Sequence, residues 1–162
     1  MATSLTRAWA PLSTAALAFS LVHTLIDWHI GLFGPSGPTL SAVPAALVWL
    51  VAIIYGWWTW CLVRAGAGSR SHLIGVVVLN LGWAFAGNGL VIFACPPPCL
   101  GGFPHQDMAH LGSLVCGALA GYAGLRAAAV HPAPVGWRIA SISAGLIVAG
   151  FALQAAASAT PG

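Results

Sequence analysis

The chain has 162 residues, of which 59% are hydrophobic and 4% charged, with a net charge of +3 and neither lysine nor glutamate. A soluble domain normally carries about a quarter charged residues, so this chain has too few polar groups to cover a water-facing surface. The positive charge comes from five arginines scattered along the chain. It therefore reads as a topology signal and not as a nucleic-acid footprint, and no nucleic-acid partner is expected.

Five apolar stretches follow in order: Leu12–Phe33, Ala42–Val63, Leu73–Ala94, Met108–Ala128 and Trp137–Ala157. Each comes near the ~20 residues that a helix needs to cross a hydrocarbon core. The expected fold is an all-α integral membrane protein, a compact bundle of five transmembrane helices forming a single domain over residues 1–162. Arg7 precedes the first stretch, Arg64 and Arg70 lie between the second and third, and Arg126 and Arg138 lie at the adjoining ends of the fourth and fifth. Alternating spans put all five on one face, which the positive-inside rule assigns to the cytoplasm. The N-terminus is then cytoplasmic and the C-terminus extracytoplasmic, as in a bacterial inner membrane protein.

The first stretch also has a signal-peptide rival, with Arg7 closing an n-region and Ala16-Leu17-Ala18 resembling a cleavage site. Cleavage there leaves too short an apolar run after Pro11, so the span is expected to stay. Its polar residues Ser20, His23 and Asp27 fall at i, i+3 and i+7 on one helical face, which Ser13 and Ala16 extend inward. His29 lies just beyond.

The second stretch carries Trp57, Trp58 and Trp60 near its cytoplasmic end, and Trp137 opens the fifth. Indoles favour the headgroup level, so all four read as interface anchors. The third contributes Asn80 and Asn88, amides that need partners within a bilayer. Cys61 and Cys116 fall within spans and read as small apolar residues. His72 and His131 lie beside cytoplasmic arginines and read as loop residues.

The connection before the fourth stretch contains Cys95-Pro-Pro-Pro-Cys99. An extracytoplasmic setting favours a Cys95–Cys99 disulfide. A polyproline II run would hold the two Cα atoms about 12 Å apart, against the roughly 4.4–6.8 Å that a disulfide needs. Closure therefore requires a turn, and metal or redox chemistry and free thiols stay open as alternatives.

The fourth stretch opens with His105, Asp107 and His110, and then carries Ser113, Gly117 and Gly121 at four-residue spacing. That small-xxx-small pattern permits close backbone approach and turns Asp107 and His110 toward the bundle. Ser141 and Gly145 repeat it in the fifth. Both acids of the chain thus lie on the outer side beside histidines.

Ionisable residues within a membrane mark functional sites by default. His23, Asp27, His105, Asp107 and His110 are candidate metal ligands, with Ser20, His29 and Asn88 around them. Imidazole and carboxylate suit Zn²⁺, Cu²⁺ or Fe²⁺, and i, i+3 or i, i+4 spacing lets one helix supply two ligands. A haem between His23 and His110 is a weaker alternative. The competing reading is an Asp–His hydrogen-bond network that only pairs helices. The absence of lysine excludes a retinal Schiff base, and no nucleotide-binding or hydrolase motif appears. The function expected is a small multipass membrane protein with an extracytoplasmic metal or ligand site, acting as a homo-oligomer or with other membrane subunits. Neither a reaction nor a substrate is legible.

Overall fold

The computed structural model describes residues 7–29, 42–65, 69–89 and 104–159, with the side chains of some helical residues near these limits excepted. The secondary structure of the described residues is all helical, with no strand. Helix α1 spans Trp9–His29, α2 Ala42–Ala65, α3 Arg70–Leu81, α4 Pro104–Val130 and α5 Trp137–Ala159. Beyond Leu81, α3 widens into a π-helical segment, Gly82–Gly89.

The helix limits follow local chemistry. Pro11, Pro44 and Pro104 all fall in first turns, where a missing N–H breaks no intrahelical hydrogen bond. For that reason α1 starts at Trp9, before the expected Leu12, and α4 at Pro104, before the expected Met108. Helix α3 starts at Arg70, with Ser69 as its N-cap. His72 therefore sits in a helical first turn and not, as expected, in a loop. His131 is in the connection, where its Nδ1 accepts the Ala133 N–H at 3.3 Å.

Pairings along the helices fix their directions. His23 meets His110 and Ser20 meets Ser113, whereas Trp9 lies beside Gly124, so α1 and α4 are antiparallel. Gly75 faces Ile139 and Gly82 faces Ile147, so α3 and α5 are parallel. Leu62 packs at Gly75 while Tyr55 stacks on Trp83, so α2 opposes α3. Helices α1, α3 and α5 thus run one way and α2 and α4 the other. All five arginines gather at the end where α1, α3 and α5 begin, and the His23–His110 contact lies toward the opposite end.

Helix α3 is the hub, touching each of the other four. Leu73, Gly75, Val76, Val77, Leu79 and Asn80 are buried along it. Its contact with α4 is close because Gly117, Gly121 and Gly124 present no side chain. A Cβ at Gly117 would lie 3.0 Å from the Ala84 Cβ and 3.2 Å from the Asn80 carbonyl oxygen. The small-residue face of α4 is therefore an internal packing surface.

Two expectations need correction. Ser141 and Gly145 are exposed, and a Cβ at Gly145 would meet nothing within 4 Å, so this pair does not pack the bundle. On α5 it is Ser143 that turns inward. Trp57, Trp60 and Trp137 are exposed, but Trp58 is half-buried and donates its indole N–H to Ser143 Oγ at 3.0 Å. Trp58 is a packing residue and not an anchor.

By length and composition, one helix among the described residues could cross a membrane unaided, Met108–Val130. Arg70–Phe85 and Trp137–Gly150 are shorter apolar helices. Residues 30–33 and 90–94 of the expected first and third spans lie outside the described residues, as do Cys95 and Cys99.

Candidate functional site

The polar residues of the interior lie on a seam between α1, α3 and α4. Toward the arginine end, Ser13 Oγ donates back to the Trp9 carbonyl at 2.7 Å, which leaves its lone pairs free to accept. The Asn80 amide donates to Ser13 Oγ at 3.1 Å and to the Val76 carbonyl at 2.9 Å. Both side chains are buried, so this bond satisfies groups that would otherwise be costly to desolvate.

Two turns further along α1, Ser20 Oγ and Ser113 Oγ share a hydrogen bond of 2.8 Å, linking α1 to α4. The Trp83 indole N–H donates to the same Ser20 oxygen at 3.1 Å. Trp83 is held in turn by stacking on Tyr55, with ring centroids 4.9 Å apart and planes at 29°. It belongs to the π-helical segment, whose wider turn resets the angular position of each following side chain. Ser20 thereby joins three helices at one point.

Next along this seam come His23 and His110. Their ring centroids are 3.7 Å apart with the planes inclined at 55°. His110 is buried and His23 half-buried. The i, i+3 step from Ser20 to His23 and the matching step from His110 to Ser113 align the imidazole pair with the serine pair. Antiparallel packing of α1 on α4 makes this double match possible.

The spacing constrains the chemistry. Two imidazoles trans to each other across one metal hold their centroids about 6 Å apart, given metal–nitrogen bonds of about 2 Å. The 3.7 Å contact is shorter than that, so the rings would have to separate before both could ligate one iron. Two imidazoles on one tetrahedral ion would need about 5 Å between centroids. That is little more than an ångström beyond the observed 3.7 Å.

The backbone positions Asp27 and His29 in the last turn of α1 and His105 and Asp107 in the first turn of α4. Their side chains lie outside the described residues, as does that of Asn88 within the π segment. Among the described residues no group of three or more histidine, cysteine or acidic side chains is gathered for a metal. Cys61 and Cys116 are half-buried free thiols.

Sequence reasoning missed Trp83 and the Trp58–Ser143 bond. Asn80 and Trp83, three apart on α3, carried the available signal for a shared inward polar face. The chain matches no protein-family model, no curated protein and no solved structure with which it was compared.

Proposed function

We propose that the chain is a five-span membrane protein whose non-arginine end holds a metal ion or small ligand between α1 and α4. The observation that carries the site is the His23–His110 contact, in which two helices place imidazoles against each other in a partly buried setting. Asp27 and Asp107 supply the nearby carboxylates by sequence position, four residues after His23 and three before His110. His105 completes a candidate set of Zn²⁺, Cu²⁺ or Fe²⁺ ligands.

The apolar exterior supports the membrane reading. Ser13, Ser20, Thr59, Asn80, Ser113 and Ser143 are buried, while Leu25, Ile53, Met108 and Val148 are each more than half exposed. Large apolar side chains so exposed are unfavourable in water, whereas a hydrocarbon solvent accepts them and favours small and hydrogen-bonded residues inside. The arginine end would face the cytoplasm of a bacterial cell, and copies of the chain or other membrane subunits would cover part of the apolar exterior.

A second reading rests on the Ser20–Ser113–Trp83 cluster, which joins α1, α3 and α4 without any ligand. In that account the histidines extend the same internal glue. Substituting Asp27→Asn separates the two. A ligand site loses bound metal while the fold persists, whereas glue loses a modest increment of melting temperature and had no metal to lose.

A further inference from the structure

The arginine end has a charge imbalance that the bundle does not resolve. Arg7, Arg64, Arg70, Arg126 and Arg138 collect there, while the two acids of the chain, Asp27 and Asp107, lie in helical turns at the other end. Five cationic side chains are thus left without a carboxylate of their own chain nearby.

Two of the five open helices that are fastened side by side. The Gly136 N–H, just ahead of α5, donates to Ser71 Oγ in the first turn of α3 at 2.6 Å. That bond sets the N-termini of α3 and α5 next to each other, with Arg70 first in one helix and Arg138 second in the other. Both helices point the positive ends of their dipoles the same way. Ser69, the N-cap of α3, makes no side-chain capping bond, so the first amides of α3 have no side-chain acceptor there. In the same turn, Arg70 Nε and His72 Nδ1 are enclosed and have no hydrogen-bond partner among the described residues. Arg138, two residues after Gly136, is exposed, and Trp137 between them is 70% exposed, an indole at the level where headgroups lie.

We propose that the paired N-termini of α3 and α5, with Arg70 and Arg138, bind the phosphate of an anionic phospholipid headgroup. The chemistry is that of any helix N-terminus facing phosphate, here doubled and flanked by guanidinium groups able to bind it bidentately. The occupant is a lipid and not a free anion because α5 has an apolar exterior, and its exposed Ile142, one turn beyond Arg138, continues from the site as a surface for acyl chains. This inference rests on the membrane reading above but is independent of the histidine site.

The test uses the full chain in a neutral detergent, with melting followed during titration by phosphatidylglycerol or phosphatidylcholine. Phosphatidylglycerol is expected to raise the melting temperature at lower mole fraction, less so at high salt. Arg70→Gln and Arg138→Gln should each weaken that preference by about fivefold, the effect of one surface arginine on anionic lipid. Arg126→Gln, an exposed arginine at the C-terminal end of α4, should weaken it less. Equal stabilisation by the two lipids, an equal loss from Arg126→Gln, or full replacement of the lipid effect by inorganic phosphate would each overturn the proposal. Alkaline carbonate extraction of cell membranes distinguishes the underlying reading: release of the chain refutes the membrane assignment, whereas retention without lipid preference refutes the lipid site alone.

Discussion

Ser20 and Ser113, 93 residues apart in the chain, share a 2.8 Å hydrogen bond in the interior, and the Trp83 indole donates to the same Ser20 oxygen. One hydroxyl therefore serves two other helices. The histidine pair lies one helical step beyond it, so the geometry of His23 and His110 depends on this junction.

Ser20→Ala should consequently cost more than Ser113→Ala, because it leaves both the Ser113 hydroxyl and the Trp83 N–H without their Ser20 partner. Hydrogen bonds within membranes average about 0.6 kcal/mol with a maximum near 1.7. Ser20→Ala is expected toward the upper part of that range and Ser113→Ala near the mean. A double-mutant cycle of unfolding free energies checks this, and zero coupling between the two positions would count against the junction.

Gly117→Ala should destabilise the bundle by about 1–3 kcal/mol, the usual cost of overpacking. Its new Cβ would press on Ala84 and on the Asn80 carbonyl, which is main chain and cannot swing aside. Gly145→Ala meets nothing within 4 Å and should be neutral or slightly stabilising, since alanine is the better helix former. Melting temperatures of the two variants, measured side by side, give the comparison.

Much of this fold was legible because its helices are long apolar runs and because arginine placement breaks the symmetry between ends. The α1 face through Ser13, Ala16 and Ser20 followed from helical spacing alone, and so did the small face of α4. Less accessible were features set by tertiary neighbours. Ser141 and Gly145 have the same spacing as the α4 motif yet face outward, because spacing identifies a stripe and not the side of the helix that finds a partner. Trp58 resembled Trp57 and Trp60 until Ser143 gave it an acceptor. The π-helical turn of Gly82–Gly89 has no signature in hydrophobic periodicity, so Trp83 could not be assigned to Ser20. Within the candidate site, His23 and His110 share faces with small residues in the sequence, but their 3.7 Å approach depends on the α1–α4 register.

Topology gives a further expectation. With cysteine introduced singly at Ser36 and at Ser69, a membrane-impermeant thiol reagent added to intact cells should label the Ser36 variant and not the Ser69 variant, judged against the parent chain. The reverse pattern would place the arginine end outside and invert the orientation.

Acidification should weaken metal binding, because protons compete for the imidazole nitrogens that ligate the ion. Zn²⁺ affinity of the purified chain should therefore fall as pH is lowered, and His110→Ala should reduce the affinity at neutral pH. Calorimetric titration at several pH values measures both. Affinity unchanged by pH and by His110→Ala would place any bound ion elsewhere.

The central claim is that the non-arginine end is a ligand site and not only a helix junction. Elemental analysis and melting temperature of one preparation of the wild-type chain and of Asp27→Asn test it most directly. The account predicts Zn, Cu or Fe in the wild type, its loss in Asp27→Asn, and a wild-type melting temperature that rises when the metal is restored. A wild type that carries no metal, and whose melting temperature is indifferent to added Zn²⁺, Cu²⁺ and Fe²⁺, would contradict the metal site and leave the helix junction as the better account.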